Sequence, residues 1–288
     1  MDLYLGAPFK LVIPKGVGYA LSHEMNDDRV IEKYSKLKKL ILDNGADELG
    51  EGQGGARLAY LAGRLQPEWI ILPDALHKDR KTRRNGIKFY EEMKNSGYQG
   101  KFMSVIQAKN LEKGLESYRF WDRSGIVDRI GVTYDTKIET AIAEDLSRRW
   151  GKRLGFLEFL AHDDAFVNGN GTGVHMLGTL DVLELYTLHN DPRFSKVLDL
   201  VVSHDTTSPY ACPTRFKITK RGIEFGRPKD WTPLNFHKST WTPDEMDVVN
   251  WNLACYLAAC KVPMTQWDSY MNPGAVNVLY QEFEKFYV

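Results

Sequence analysis

WIILPDALHKDRKTRRNGIKFYEEMKNSGYQGKFMSVIQA, residues 69–108, contains one strand–helix–strand repeat, and its reading decides the fold. WIIL (69–72) and FMSVI (102–106) are short, β-prone apolar runs, and the charged stretch between them has helical periodicity. The same alternation extends in both directions. LIL (40–42) precedes it, and IVDRIGV (126–132), LGFLEFL (154–160), VHML (174–177) and LDLVV (198–202) follow, with RFKIT (215–219) as a candidate eighth run. The first four runs begin about 25–35 residues apart, the length of one βα unit. Ile138, Ala141, Ile142 and Leu146 share one face of a helix predicted over 138–150. These features predict an α/β protein with parallel strands, a (β/α)8 TIM barrel.

No proline- or serine-rich linker divides the chain, so residues 1–288 are read as one barrel domain with a helical extension over about 240–288. Thr242, Pro243 and Glu245 spell a capping box with proline at the first helical position, opening a helix to about Lys261 whose stripe of Met246, Val249, Leu253 and Leu257 is core packing. A last amphipathic helix over 275–287 is expected to close the barrel.

The 38 basic and 38 acidic side chains cancel, so net charge neither favours nor excludes a polyanionic partner. The three cysteines, Cys212, Cys255 and Cys260, are too few and too irregularly spaced for a disulfide framework, which fits a reducing compartment. MDLYLGAPFK lacks the apolar core of a signal peptide, and no run of about 18 apolar residues occurs. A cytoplasmic protein without membrane association is expected.

In a barrel enzyme the reacting groups stand at the carboxyl ends of strands. Asp43 follows LIL, Asp74 follows WIILP, Gln107 follows FMSVI, and Asp205 lies just after LDLVVSH. A single aspartate there is usually a turn former or helix cap, but four carboxylate or amide groups in equivalent places point to a site. Two carboxylates converging from different strands suit displacement at an anomeric carbon, one attacking and the other handling protons. Asp43 and Asp205 are the natural pair, on strands that are neighbours only if the barrel closes. Asp74 and Gln107 have the donors and acceptors to read the edge of a heterocyclic base.

LILDNGADELGEG, ILPDALHKDRKT, FMSVIQA, GVHMLGTLDVLEL and VVSHDTTSPYA, taken in this order over about residues 40–212, resemble the active-site segments of the tRNA-guanine transglycosylase superfamily, especially its shorter phage branch. That resemblance implies an enzyme, a pentosyltransferase exchanging guanine in DNA for a 7-deazaguanine, with tRNA as the alternative polymer and host cytoplasm as the location if the chain is phage-encoded. It implies Asp205 as the nucleophile at C1′, Asp43 as the proton-handling group, Asp74 and Gln107 as ligands of the base, and the Leu177–Gly178 backbone as the loop that closes over it. No cofactor is implied. The early motif reads DNGA where the family has Asp-Ser-Gly-Gly, and the zinc motif Cys-x-Cys-x-x-Cys of the tRNA enzymes is missing, which favours DNA. Cys255 and Cys260 would point about 140° apart on a helix, so no metal is expected.

HKDRKTRR (77–84) directly follows Asp74 and sets Lys78, Arg80, Lys81, Arg83 and Arg84 at the rim, either as a solvated helix face or as contacts to nucleic-acid phosphates. His204, beside Asp205, either tunes the nucleophile or touches phosphate, or else points away, because neighbours on a strand alternate faces. His175 also lies near the site, and His23, His77 and His162 are scattered around it. NGNGTG (168–173) precedes a strand and is expected to be a flexible loop near the site. Tyr118, Phe120, Trp121 and Tyr134 are candidates to stack on a base or to fill the core. A non-catalytic barrel that only binds nucleic acid remains the alternative from another functional class.

Overall fold

The computed structural model describes residues 1–5, 17–22, 25–37, 39–146, 148, 150–206, 209, 212, 215–219, 222–224, 242–271 and 273–283. Eight parallel strands form a nearly closed barrel: β1 (Asp2–Leu5), β2 (Val17–Leu21), β3 (Lys39–Asp43), β4 (Trp69–Ile71), β5 (Lys101–Val105), β6 (Arg129–Thr133), β7 (Val174–Leu177) and β8 (Val201–Thr206). Their order is β1-β8-β7-β6-β5-β4-β3-β2. β1 and β2 lie side by side to complete the ring, with no hydrogen-bonded ladder between them among the described residues.

Strand alternation sorts the side chains into two cores. Tyr4, Tyr19, Ile41, Trp69, Ile71, Met103, Val105 and Leu177 point inward and fill the barrel. Leu3, Leu40, Leu42, Ile70, Phe102 and Ile130 point outward against the helices. The crossover helices include α1 (Asp28–Tyr34), α2 (Ala46–Leu49), α3 (Gly55–Leu65), α4 (Asp79–Asn95), α5 (Leu111–Ser124), α6 (Ala141–Leu146), α7 (Gly151–Ala161), α8 (Asp164–Asn168), α9 (Val182–Asn190) and α10 (Val197–Leu200).

Several elements differ from the sequence reading. LGFLEFL belongs to helix α7, which is buried almost all round, from Arg153, Leu154 and Phe156 to Leu160; a helix without a polar face has no periodicity to separate it from a buried strand. RFKIT is not a barrel strand: its residues Lys217–Thr219 pair antiparallel with Gly222–Glu224 in a separate two-stranded hairpin. The strands that complete the count are β1 and β2, four and five residues long. In LDLVV the first residues finish helix α10 and the strand begins at Val201. The helix expected over 138–150 is the shorter α6.

The capping box is present: the Thr242 side chain accepts from the Glu245 N–H, and Glu245 accepts from the Thr242 N–H, opening the helix Pro243–Ala259. Val249, Leu253 and Leu257 are buried as expected. The helix Pro273–Phe283 packs on that helix and on the 3-10 turn Met264–Ser269. It does not close the barrel, a place taken by β1 and β2; positions 284–287 of the expected helix lie outside the described residues, as does His23. No described helix is long and apolar enough to cross a membrane.

Candidate active site

A cavity of about 310 Å³ opens at the carboxyl ends of the strands. Asp43, Asp74, Gln107, Leu177, Gly178 and Asp205, drawn from distant parts of the sequence, all line it. Asp43 and Asp205 are not on neighbouring strands, because β2 and β1 intervene between β3 and β8. They face the cavity from opposite sides of that strand pair.

Asp43 ends β3. Its Oδ2 accepts from the Tyr19 hydroxyl and its Oδ1 from the Gly45 N–H. Gly45 has φ 73, a left-handed conformation that suits glycine and brings its N–H back to the carboxylate. Asn44 is turned the other way and is buried. Its amide donates to the Leu72 carbonyl at 2.7 Å and to Asp74 Oδ1 at 2.8 Å, while its Oδ1 accepts from the Ala46 N–H at 2.8 Å. Asn44 thereby fixes the end of β4 against the end of β3.

Asp74 receives a second amide on its other oxygen, from Gln107 Nε2 at 2.5 Å. Gln107 Oε1 accepts from the His77 N–H at 2.9 Å, so the orientation of the glutamine amide is set by its neighbours. His77 delivers that N–H from a left-handed backbone with φ 57, a conformation costing a non-glycine residue about 1–2 kcal/mol. Burial pushes the Asp74 carboxyl up to about 6, and the hydrogen bonds from Asn44 and Gln107 pull against the rise.

Asp205, on β8, has its Oδ1 held by two groups from β7 and its end: the Gly178 N–H at 3.0 Å and His175 Nε2 at 3.0 Å. Among the described residues no hydrogen bond is made to Oδ2. His175 is fully buried, and burial holds its imidazole below the usual range against the opposing pull of Asp205. The Leu177 carbonyl accepts from the Tyr134 N–H at 3.0 Å and from the guanidinium of Arg153 at 2.5 Å. Arg153 is itself buried in a bidentate pair with Glu184, at 2.7 and 2.6 Å. Burial pushes the Glu184 carboxyl up and Arg153 pulls it down. Both polar groups of the Leu177–Gly178 peptide are thus bonded within the protein. Leu177 and Gly178 line the cavity as expected, and their shared peptide holds Asp205 and the end of β7.

His204 is not a phosphate contact. It lies on the outer face of β8, fully buried, with Nε2 3.1 Å from Cys260 Sγ. In the basic stretch Lys78, Arg80 and Arg84 are exposed, whereas Lys81 pairs with Glu51 at 2.6 Å and Arg83 with Asp79 at 2.7 Å. NGNGTG precedes β7 and therefore lies at the opposite end of the barrel, tied to Asp122 through Asn170 and Thr172. Of the aromatic candidates, Tyr118 and Trp121 are core, Phe120 lies under the Arg83 guanidinium, and Tyr134 lines the cavity. Sequence reasoning misses Tyr19 and Asn44; the Asn of DNGA offers a signal, but Tyr19 sits in VGYAL, where glycine breaks the apolar run.

Neither a family model nor a curated protein sequence matches this chain.

Proposed function

We propose that the chain is a base-exchange glycosyltransferase that replaces guanine in DNA with a 7-deazaguanine through a covalent aspartyl-sugar intermediate. The observation that carries this reading is the convergence in one cavity of carboxylates from β3 and β8 with the buried, mutually bonded Asp74 and Gln107. Asp205 attacks C1′ of the nucleotide with Oδ2, the oxygen that carries no hydrogen bond among the described residues; the glycosidic bond to N9 breaks and guanine leaves with the electron pair. Asp43, in its protonated form, gives the departing base its proton. The incoming base then loses its N9 proton to the Asp43 carboxylate and attacks C1′, and the electrons of the ester bond return to Asp205. Two inversions retain the anomeric configuration.

Asp74 and Gln107 present acceptors and a remaining amide hydrogen to the edge of the base, and Tyr134 offers a face at the cavity wall. Access requires the target nucleotide to leave the duplex stack, at a cost of a few kcal/mol, about what unpairing and unstacking one base takes. Exposed Lys78, Arg80 and Arg84 at the rim suit the phosphates on either side. DNA is preferred over tRNA because the cysteine motif of the tRNA enzymes is missing. The test is incubation of the protein with labelled guanine and, separately, duplex DNA, single-stranded DNA and unmodified tRNA. Label in DNA is the expected result; label in tRNA alone reassigns the polymer, and label in none contradicts base exchange.

A further inference from the structure

Behind Asp205 the side chains form one line of hydrogen bonds into the barrel floor. His175 Nε2 is 3.0 Å from Asp205 Oδ1, His175 Nδ1 is 2.8 Å from Ser203 Oγ, and Arg129 donates to Ser203 Oγ at 2.9 Å. Arg129 lies over the Trp69 ring at 4.0 Å and has only donors to offer. Ser203 Oγ therefore accepts from Arg129 and turns its own proton toward Nδ1. The imidazole proton is then on Nε2, directed at Asp205. The other tautomer would set two lone pairs, on Nε2 and Oδ1, against each other at 3.0 Å. The second donor to Oδ1 is equally fixed. A trans peptide points its C=O and N–H in opposite directions, so Arg153, by binding the Leu177 carbonyl, aims the Gly178 N–H at Asp205.

We infer that His175 is a positioning residue which, together with the Gly178 N–H, holds Asp205 by Oδ1, leaving Oδ2 to attack and stabilising the carboxylate when it departs. This inference rests on the base-exchange reading. When the Oδ2–C1′ bond breaks in the second displacement, its electron pair returns to the carboxylate and the charge spreads onto Oδ1, where two oriented donors already stand. The same donors stabilise the free carboxylate before attack. Without His175 the Gly178 N–H still holds Oδ1 for attack, but one of the two donors to the departing carboxylate is gone, so departure of Asp205 from the sugar slows more than its attack.

The experiment uses the full chain, guanine-containing duplex DNA and labelled free guanine, with exchange counted in the DNA and the covalent protein–DNA adduct measured on denaturing gels at steady state. In His175→Leu, exchange is expected to fall about 100-fold, the order seen when one oriented donor is lost, while the fraction of protein held as adduct rises. His175→Gln, whose amide retains a donor, is expected to recover most of the exchange. If His175→Leu does not fold, Ser203→Ala, which frees the imidazole to take either tautomer, carries the same expected rise in adduct. A fall in adduct parallel to the fall in exchange, or His175→Gln no better than His175→Leu, overturns the inference while leaving base exchange standing. A wild-type protein that forms neither adduct nor exchanged DNA overturns both.

Discussion

Gln107 donates its side-chain amide to Oδ2 of the buried Asp74 at 2.5 Å, joining the ends of β4 and β5 beneath the cavity. Burial lifts the Asp74 carboxyl from 3.8 to about 6. A carboxyl raised on folding favours the folded state in its protonated form: that stability is full below about pH 3.8 and is lost as pH rises through about 6. Gln107→Leu removes a donor from the ionised form, so the variant is expected to lose about 1–3 kcal/mol at pH 7 and distinctly less at pH 5. Urea denaturation at the two pH values measures the difference. If Asp74 accepts from guanine as proposed, binding of guanine is expected to weaken in the wild type as pH falls below about 6.

Asn44 links three backbone and side-chain groups across β3 and β4, and its replacement leaves buried partners unmatched. Asn44→Ala is expected to cost about 1–3 kcal/mol in denaturation and to weaken guanine binding together with it. Gly52 is packed against the same unit: a Cβ there would lie 3.0 Å from Asn44 Oδ1 and 3.1 Å from the Asp74 nitrogen. Gly52→Ala is accordingly expected to lower guanine affinity, measured by calorimetry, through displacement of Asn44.

Arg153 and Glu184 are fully buried and bonded to each other. Arg153→Met strands a buried carboxylate and is expected to cost about 3–5 kcal/mol, with Glu184→Leu comparable. The double variant removes both charges and is expected to be more stable than either single one by chemical denaturation. It still lacks the guanidinium that holds the Leu177 carbonyl, so base exchange is not expected to return with stability.

Lys78, Arg80 and Arg84 are exposed at the start of α4, while Lys81 and Arg83 are already paired. Each exposed residue that contacts a duplex phosphate should, when changed to Ala, reduce the slope of log K against log salt by about 0.9. Lys81→Ala is expected to change the slope less. Binding titrations over a range of salt concentrations separate the two groups.

The barrel and most of its mouth are legible in the sequence because the polar residues that end β3, β4, β5 and β8 interrupt apolar runs at the spacing of a βα repeat. Asp43, Asp74, Gln107 and Asp205 reach one cavity as that pattern implies. Tyr4 and Tyr19 are hidden, since DLYL and VGYAL are broken by aspartate and glycine and give no continuous apolar run like those of the other strands. The roles of His175 and His204 follow from parity along β7 and β8: His175 shares the inward face with Leu177, and Ser203 shares one with Asp205, leaving His204 outside. Orientation of the Leu177–Gly178 peptide has no local signature. It depends on Arg153, 24 residues away in the chain, on a helix whose inner run LGFLEFL reads as a strand.

Base exchange by this route requires a covalent bond between Asp205 and the sugar. Mass spectrometry of peptides from protein quenched during reaction with guanine-containing DNA and no added free base tests that bond most directly. A sugar-linked adduct is predicted on the peptide carrying Asp205, absent in Asp205→Asn; guanine exchange or release with that peptide unmodified, or an adduct on Asp43, would contradict it.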